Sequence, residues 1–139
     1  RFLASRCVSG YLKAAPEHAA EKVLTLMKKP PISVFEKFLQ DFNAYSREAG
    51  KNQFVIPYLL IGHPGETMED ILALKDFIVK HRLRVEQVQI FTPTPMTQST
   101  CMYYTGIVPF SREKIPVCRD IKELEKRKEM VLKAGSGKK

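Results

Sequence analysis

The sequence lacks several features that would each point to a particular class of protein. It has no tryptophan, and its three cysteines, Cys7, Cys101 and Cys118, form no CxxC pair, so it predicts neither a disulfide framework nor a cysteine zinc site. No apolar run approaches the roughly 20 residues that a membrane-spanning helix needs, and no signal-peptide pattern opens the chain. We therefore expect a cytoplasmic protein with no membrane partner, in which each cysteine is reduced and half-buried.

Metal-ligand spacings are missing as well. The three histidines show neither HxH nor HExxH spacing, so no protein-bound metal is predicted. What is present is an ordinary globular composition: 139 residues, 44% of them hydrophobic and 27% charged. This length and composition predict one folded domain with a real core rather than a disordered chain.

The positive charge is concentrated near the carboxyl end. The whole chain carries +8, and residues 111–139 hold ten Lys/Arg against five Asp/Glu, a difference of +5. Such a segment can contact RNA or an acidic partner. No RNP-like aromatic motif or zinc-finger spacing accompanies it, so a solvated helical face is the favoured interpretation.

Hydrophobic periodicity predicts three strands and four helices. The first strand should run from Tyr11 to Ala14 and stop at Pro16, and a longer helix should start with a capping box formed by Ser33 and Glu36 and stop at Gly50. The remaining predicted elements are a helix within 19–29, a strand at 53–61, a helix at 68–80 capped by Thr67 and Asp70, a strand at 85–91, a proline-set loop at 92–106 and a charged helix at about 121–133.

The order of these elements predicts an α/β fold. The second strand is apolar on both faces, as in a parallel sheet covered by helices, with Pro57 marking a bulge or an edge. The third strand alternates, so that in a β/α barrel Val88 and Ile90 would meet the helices while its glutamines would face the lumen. Three parallel strands form only a partial (β/α) barrel with open edges. We expect a fragment domain at 1–134 and a flexible basic tail at 135–139.

All three predicted strands end in polar, turn-rich segments: "APEHA", "GHPGET" and "TPTPMT". Ligands of parallel α/β folds sit at the carboxyl ends of the strands, where loops and helix N-termini converge. We therefore expect the turns at 15–18, 62–67 and 92–97 to lie side by side on one rim of the sheet.

Each of these turns has two interpretations. Gly62 and Gly65 allow a close backbone approach, and free N–H groups at the following helix favour carboxylate or phosphate oxygens; alternatively the segment is a tight turn and Glu66 a helix N-terminal charge. Glu17 and His18 could bind a metal or do acid–base work, with His63 as a third candidate, although adjacent loop residues diverge. Core packing is favoured over base stacking for the aromatic cluster at 102–104.

Longer stretches carry a specific resemblance. The segments "GYLKAAPEHAAEKVLTLMKKP", "FNAYSREAGKNQFVIPYLLIGHPGETMEDILAL" and "VEQVQIFTPTPMTQSTCMYYTG" resemble the carboxyl-terminal half of the radical SAM domain of YgiQ-type proteins. "VCRDIKELEKRKEMVLKA" is similar to the stretch that follows there. The resemblance covers residues 9 to about 134.

This resemblance implies the last three strands of a partial (β/α)6 barrel that holds S-adenosylmethionine against a [4Fe-4S] cluster and cleaves it reductively. Glu17 matches a ribose-side motif, Gly62 to Glu66 match the glycine-containing segment after strand five, and Thr92 to Thr94 match the adenine-side end of strand six. The implied cofactor-binding residues are Glu17, His18, Gly62, His63, Gly65, Glu66, Thr92, Pro93 and Thr94.

One departure decides what the chain can do alone. The family's cluster ligands are a CxxxCxxC motif on an early loop, and no such spacing occurs here. Without a cluster no side chain supplies the electron that breaks the C–S bond. We therefore expect an inactive part of a longer radical SAM enzyme whose partner is the missing amino-terminal half of the barrel, with catalytic residues and substrate unassigned.

Two alternatives stay open at this stage. One is a non-enzymatic module, for instance a subunit of a ribonucleoprotein or another assembly, that binds through the basic end at Lys126, Arg127 and Lys128. The other is a small α/β domain that binds a phosphate ligand at residues 62–67 without radical chemistry.

Overall fold

The computed structural model describes residues 1–136; residues 137–139, which hold most of the predicted tail, lie outside the described residues. A one-turn π-helix at Leu3–Cys7 precedes the alternating part of the chain. The strands and helices that follow are β1 (Tyr11–Glu17), α1 (Glu21–Leu26), α2 (Ile32–Glu48), β2 (Phe54–Ile61), α3 (Met68–Lys80), β3 (Val88–Ile90), α4 (Gln98–Thr105) and α5 (Ile121–Gly135).

The strands form one parallel sheet in the order β1-β2-β3. β1 pairs with β2 from Tyr11 opposite Phe54 onward, and β2 pairs with β3 from Leu59 opposite Val88. Helices flank this sheet, and the described strands do not close into a barrel, which confirms the predicted α/β fold class. Pro57 is tolerated in the central strand because β3 pairs only with Leu59–Ile61, beyond the proline.

One face of the sheet is buried under helices and the other is largely open. The buried face and the helices that cover it contribute to a single apolar core: Leu39, Phe42, Val55, Leu59, Ile61, Ile71, Leu74, Ile78, Val88, Leu124 and Val131. On the other face Tyr11 and Phe54 are 59% and 47% exposed, and Gln89 is exposed. The predicted alternation of β3 is therefore confirmed, since Val88 is buried and Gln89 is not.

The prediction for α3 is confirmed at both ends. Thr67 is its N-cap, and both parts of the Thr67–Asp70 capping box are present. The Thr67 N–H group and hydroxyl donate to Asp70 Oδ2 at 2.7 and 2.8 Å. This capping box is a local signal for the start of the helix.

Three other predicted boundaries are wrong. β1 continues through Pro16 to Glu17, because the register shifts between Ala14 and Glu17 and the proline falls inside that irregularity. The helix α2 starts at Ile32, not at a Ser33 cap, and the Ile32 N–H group donates to Glu21 Oε1 at 3.0 Å. β3 keeps only three residues of the predicted seven.

A whole helix was also missed in the predicted loop at 92–106. The helix α4 begins after Thr97, whose side chain accepts the Thr100 N–H group, and it ends at Gly106, which has a left-handed φ of 67°. These are ordinary start and stop signals. The neighbouring prolines and threonines led the sequence analysis to predict a loop instead.

Among residues 1–136, no helix combines the length and the apolar character that crossing a bilayer requires.

Candidate functional site

The three polar turns lie side by side, as the sequence predicted. All strands are parallel, so β1, β2 and β3 end at the same edge of the sheet. His18 in the first turn approaches Glu66 in the second, with Nε2 and Oε2 3.5 Å apart. The His63 ring in the second turn meets Phe91, just before the third turn, edge-on at 5.3 Å between ring centroids.

In the first turn Glu17 and His18 point to different partners, as expected for neighbours on a loop. Glu17 has a left-handed φ of 68°, which reverses the chain after β1. Its Oε1 accepts from Lys29 at 3.2 Å, while its Oε2 is buried and has no hydrogen-bond partner within residues 1–136. Glu17 therefore has one carboxylate oxygen whose hydrogen-bonding capacity is not used by the described residues.

His18 is fully buried and its tautomer follows from its contacts. The Ala20 N–H group donates to His18 Nδ1 at 2.9 Å, so in the neutral ring the proton lies on Nε2. Nε2 faces Glu66 Oε2, yet it makes no hydrogen bond with any described residue. The 3.5 Å separation is an electrostatic contact rather than a hydrogen bond.

Glu66 is the centre of the buried polar contacts. Its Oε2 accepts the Gly62 N–H group at 2.8 Å, and its Oε1 accepts from Arg127 Nη1 of α5 at 3.2 Å. Arg127 Nε also donates to Glu123 at 3.2 Å. Burial by itself lowers the pKa of Arg127, but the hydrogen bonds that it donates to Glu123 and Glu66 help to outweigh burial, and that pKa is raised above its ordinary value. Glu66 is therefore paired with a permanent cation.

His63 joins the second turn to α4. Its Nδ1 lies 2.8 Å from the Pro64 carbonyl oxygen, which can only accept, so Nδ1 carries the proton. Nε2 then accepts from the Ser99 hydroxyl at 2.8 Å. Burial lowers the pKa of His63 below its ordinary value of 6.5, more than the Pro64 and Glu66 contacts raise it. The neutral ring is thus the form that fits.

The protein itself fills the space beside both glycines. A Cβ at Gly62 would lie 2.7 Å from Leu124, and one at Gly65 would lie 2.3 Å from Leu26. Both glycines have positive φ, 77° and 91°. The sequence predicted that these glycines allow another group to come close to the backbone. In the structure, that group is a leucine side chain at each of the two positions.

The backbone donors of the same segment are also occupied. The Gly62 N–H group donates to Glu66 Oε2, and the Thr67 N–H group donates to Asp70 Oδ2. The Gly65 N–H group donates to the Pro116 carbonyl, and the Glu66 N–H group donates to the His63 carbonyl. Every one of these acceptors belongs to the chain. The alternative of a phosphate site on these donors gains no support from this geometry.

The third turn is far more open. Thr92 and Thr94 are exposed and Pro93 is half-buried. The Thr92 hydroxyl donates to the Ile90 carbonyl at 3.4 Å, while the Thr94 carbonyl accepts from the hydroxyls of Thr97 and Thr100. These bonds fix the backbone and leave the Thr94 side chain facing solvent.

The aromatic cluster after β3 serves packing in part. Met102 is buried, Tyr103 lies 5.9 Å from Phe91 between ring centroids, and Tyr104 is 70% exposed. Arg119 lies over the Tyr103 ring at 5.3 Å and donates to the Tyr103 and Tyr104 carbonyls. Arg119 thereby caps the end of α4.

The residues present do not fit an iron–sulfur cluster. Within residues 1–136, no group of three or more His, Cys, Asp or Glu side chains could hold a metal ion. Cys7 and Cys101 are exposed, which corrects the prediction that each cysteine is half-buried; Cys118 is half-buried as predicted. A [4Fe-4S] cluster needs three or four convergent thiolates, so its ligands would have to come from outside this chain.

Sequence reasoning missed two contributors to these contacts, Arg127 and Ser99. Arg127 lies 61 residues from Glu66 and Ser99 lies 36 residues from His63. The only local signal for Arg127 was Glu123 four residues earlier, which predicts a helix-surface pair. Arg127 is also buried, so it does not belong to the solvated basic face on which the RNA-binding alternative depended.

Comparisons with known proteins agree on one group of relatives. The chain is 50% identical over 124 residues to a UPF0313 protein of Thermotoga maritima, 48% over 121 residues to one of Methanosarcina mazei, and 47% over 132 residues to one of Geobacter sulfurreducens. These alignments cover 88%, 87% and 95% of this chain. Residues 86–133 match the family described as Domain of unknown function (DUF3362).

The same alignments cover much less of the relatives. They span 22%, 19% and 22% of those three proteins, so the chain corresponds to about a fifth of their length. The matched DUF3362 region starts before β3 and includes nearly all of α5. It therefore contains Arg127, whose partner Glu66 lies outside it.

Proposed function

We propose that this chain, which belongs to the UPF0313 (YgiQ-type) family, contributes part of the S-adenosylmethionine-binding rim of a longer radical SAM protein. The observation that carries the proposal is the meeting of the three turns at the carboxyl ends of parallel strands. In parallel α/β folds that edge is where ligands bind. The high identity to UPF0313 proteins supports the wider resemblance that the sequence carries.

The residues at the rim differ in how well they suit such a ligand. Glu17 has a carboxylate oxygen without a hydrogen-bond partner among residues 1–136, and such an oxygen could accept hydrogen bonds from the hydroxyl groups of a ribose or from an ammonium group. Thr92 and Thr94 offer exposed side chains at the end of β3. His18, His63 and Glu66 are held in contacts within the chain, so in this proposal they support the rim from beneath.

The chemistry itself belongs to the longer protein. In that protein bound S-adenosylmethionine would supply the radical chemistry, and the ligands of the cluster it requires would come from outside this chain, which has no CxxxCxxC spacing. The role proposed for these residues is to bind and orient: the Glu17 carboxylate accepts hydrogen bonds, and the buried contacts of the second turn keep water out beneath it. Substrate and reaction outcome are not part of the proposal.

The test uses the longer polypeptide that contains this segment. Calorimetry should show S-adenosylmethionine binding, and Glu17→Gln should raise the Kd at least about tenfold, since a hydrogen bond to a charged group contributes about 1.5–3 kcal/mol. Glu69→Gln, at an exposed carboxylate in the first turn of α3, is the matched control and should bind like the unaltered protein.

Two results would contradict the proposal. Equal affinities of the Glu17→Gln and Glu69→Gln variants would remove Glu17 from the binding site. A longer reading frame without a CxxxCxxC motif upstream of this segment would remove the cluster and with it the radical chemistry.

A further inference from the structure

The helix α5 reaches the rim through one buried side chain. Arg127 is 9% exposed, whereas its neighbour Lys126 is exposed on the same helix. Burying an arginine is unfavourable unless its charge is paired. Here the guanidinium lies between Glu123 on its own helix and Glu66 in the second turn, 3.2 Å from an oxygen of each.

Glu66 depends on this pairing because its side chain is only 1% exposed. Of the described Lys and Arg side chains, Arg127 is the one paired with it; the other partner, His18, carries charge only when protonated. Removing one member of a buried pair leaves an uncompensated charge that must be hydrated or protonated. Loss of Arg127 would therefore draw Glu66 toward water.

The two carboxylate oxygens of Glu66 have different partners. Oε1 pairs with Arg127, and Oε2 accepts the Gly62 N–H group and faces His18. A shift of the carboxylate toward solvent would release the Gly62 N–H group and the contact with the first turn together. The position of Glu66 thus sets the relation between the turns after β1 and β2.

Apolar packing brings α5 to the same place. Leu124 lies one helical turn before Arg127, so both residues share a face of α5. Leu124 packs against Gly62, where a Cβ would be only 2.7 Å away. Two independent contacts, one apolar and one ionic, therefore join α5 to the second turn.

We propose that Arg127 is a positioning residue for the rim. By pairing with Glu66 Oε1 it holds the carboxylate whose other oxygen binds the Gly62 N–H group and faces His18, and so it keeps the turns after β1 and β2 in fixed relation. The region matched to DUF3362 is accordingly a structural part of the rim rather than a separate attachment. Only the consequence for ligand affinity rests on the function proposed above.

Hydrogen exchange followed by mass spectrometry on the longer polypeptide that contains this segment tests the positioning directly. In Arg127→Met the amides of residues 61–67 should exchange at least about tenfold faster, because an opening that costs 1.4 kcal/mol less is ten times more populated. Arg127→Lys, which keeps the charge, should recover part of the protection. Lys126→Met, the same change at the adjacent exposed position, should match the unaltered protein.

A double variant distinguishes a positioning role of Arg127 from a general loss of stability. Arg127→Met combined with Glu66→Gln removes both charges while the glutamine carbonyl can still accept the Gly62 N–H group, so protection at 61–67 should rise above that of Arg127→Met alone. The proposal is overturned if the amides of residues 61–67 stay protected from hydrogen exchange in Arg127→Met. It is also overturned if residues 61–67 and α5 lose protection equally in Arg127→Met and the double variant restores protection to neither. The double and lysine variants decide the matter where Arg127→Met does not fold.

The two proposals fail in different ways. If the longer protein does not bind S-adenosylmethionine but the exchange pattern is as expected, the proposed function is wrong and the positioning role stands. If the longer protein binds S-adenosylmethionine and Arg127→Met changes neither the affinity nor the exchange at 61–67, the positioning role is wrong and the proposed function stands.

Discussion

The turn after β2 and the turn after β3 sit at the same edge of one sheet, yet they are built in opposite ways. Residues 62–66 are all buried, and the backbone N–H groups of Gly62, Gly65 and Glu66 each have a partner within the chain. Residues 94–97 are all exposed. Both turns combine proline with polar residues, so their sequences alone suggest similar roles.

The difference shows that polar residues at a strand end can serve two purposes. In the second turn Glu66 and His63 stabilise the turn itself, and the ionic and hydrogen-bonded contacts are sheltered from water, where they are strongest. In the third turn the backbone is fixed by threonine hydroxyls and the Thr94 side chain remains free. A rigid, buried turn beside an exposed one is a suitable arrangement for a binding rim.

The largest expected effect comes from filling the buried turn. Gly65→Ala should lower the free energy of unfolding by about 3 kcal/mol, since a left-handed residue costs about 1–2 kcal/mol and displacing Leu26 about 1 kcal/mol more. Urea unfolding measures this. Gly50→Ala, at φ 65° with no atom within 4 Å of the new Cβ, isolates the conformational part and should cost about 1 kcal/mol.

Equal losses in the Gly65→Ala and Gly50→Ala variants would show that the second turn is not packed against Leu26. In that case the contrast between the two turns would rest on hydrogen bonds alone. Gly10→Ala, which has neither a positive φ nor a close neighbour, gives the baseline.

A smaller effect should appear when the buried histidine is titrated. Because burial lowers the pKa of His63, the folded state binds fewer protons than the unfolded state between pH 6.5 and the lower pKa of the folded state. Stability conferred by the neutral ring is therefore present above pH 6.5 and lost as the pH falls towards the folded pKa, by up to about 1.4 kcal/mol per pH unit. Urea unfolding between about pH 5 and about pH 8 measures the slope.

His63→Asn should flatten that slope, because asparagine does not titrate. The chosen range avoids Asp70 and Glu36, whose pKa values are lowered from 3.8 and 4.5. A slope that is unchanged in His63→Asn would mean that a group other than His63 produces it.

The smallest expected effect lies in the exposed turn. Thr94→Ala should change the free energy of unfolding by no more than about 0.5 kcal/mol, as for other exposed positions. In the longer protein the same change should weaken S-adenosylmethionine binding by roughly two- to tenfold, the loss of one hydrogen bond. Thr25→Ala, at an exposed threonine of α1, is the control and should change neither the stability nor the affinity. A stability loss above about 0.5 kcal/mol in Thr94→Ala would contradict the contrast between the buried turn after β2 and the exposed turn after β3.

The sequence predicted the parts of the molecule that local chemistry determines. The helix α3 was predicted to the residue because Thr67 and Asp70 form a capping box and the apolar spacing continues to Lys80. The parallel sheet followed from the apolar second strand, and the common edge of the three turns followed from the parallel sheet. These inferences use neighbours within a few positions of one another.

The failures involve partners that are distant in the chain. The start of α2 depends on Glu21, eleven residues away, rather than on a local Ser33 cap. Pro16 stays in β1 because of a register shift that only the pairing with β2 reveals. The roles of Glu66 and His63 depend on Arg127 and Ser99, which no spacing rule connects to them.

The distance in sequence between Glu66 and Arg127 also bears on how the chain is made. Synthesis adds about 5–20 residues per second, so the 61 residues that separate the two take about 3–12 s to produce. Throughout that interval the newly made carboxylate has no guanidinium to neutralise it and must stay hydrated. The edge of this sheet where the three turns meet therefore gains its buried ion pair only after α5 has emerged from the ribosome, however early its strands begin to pair.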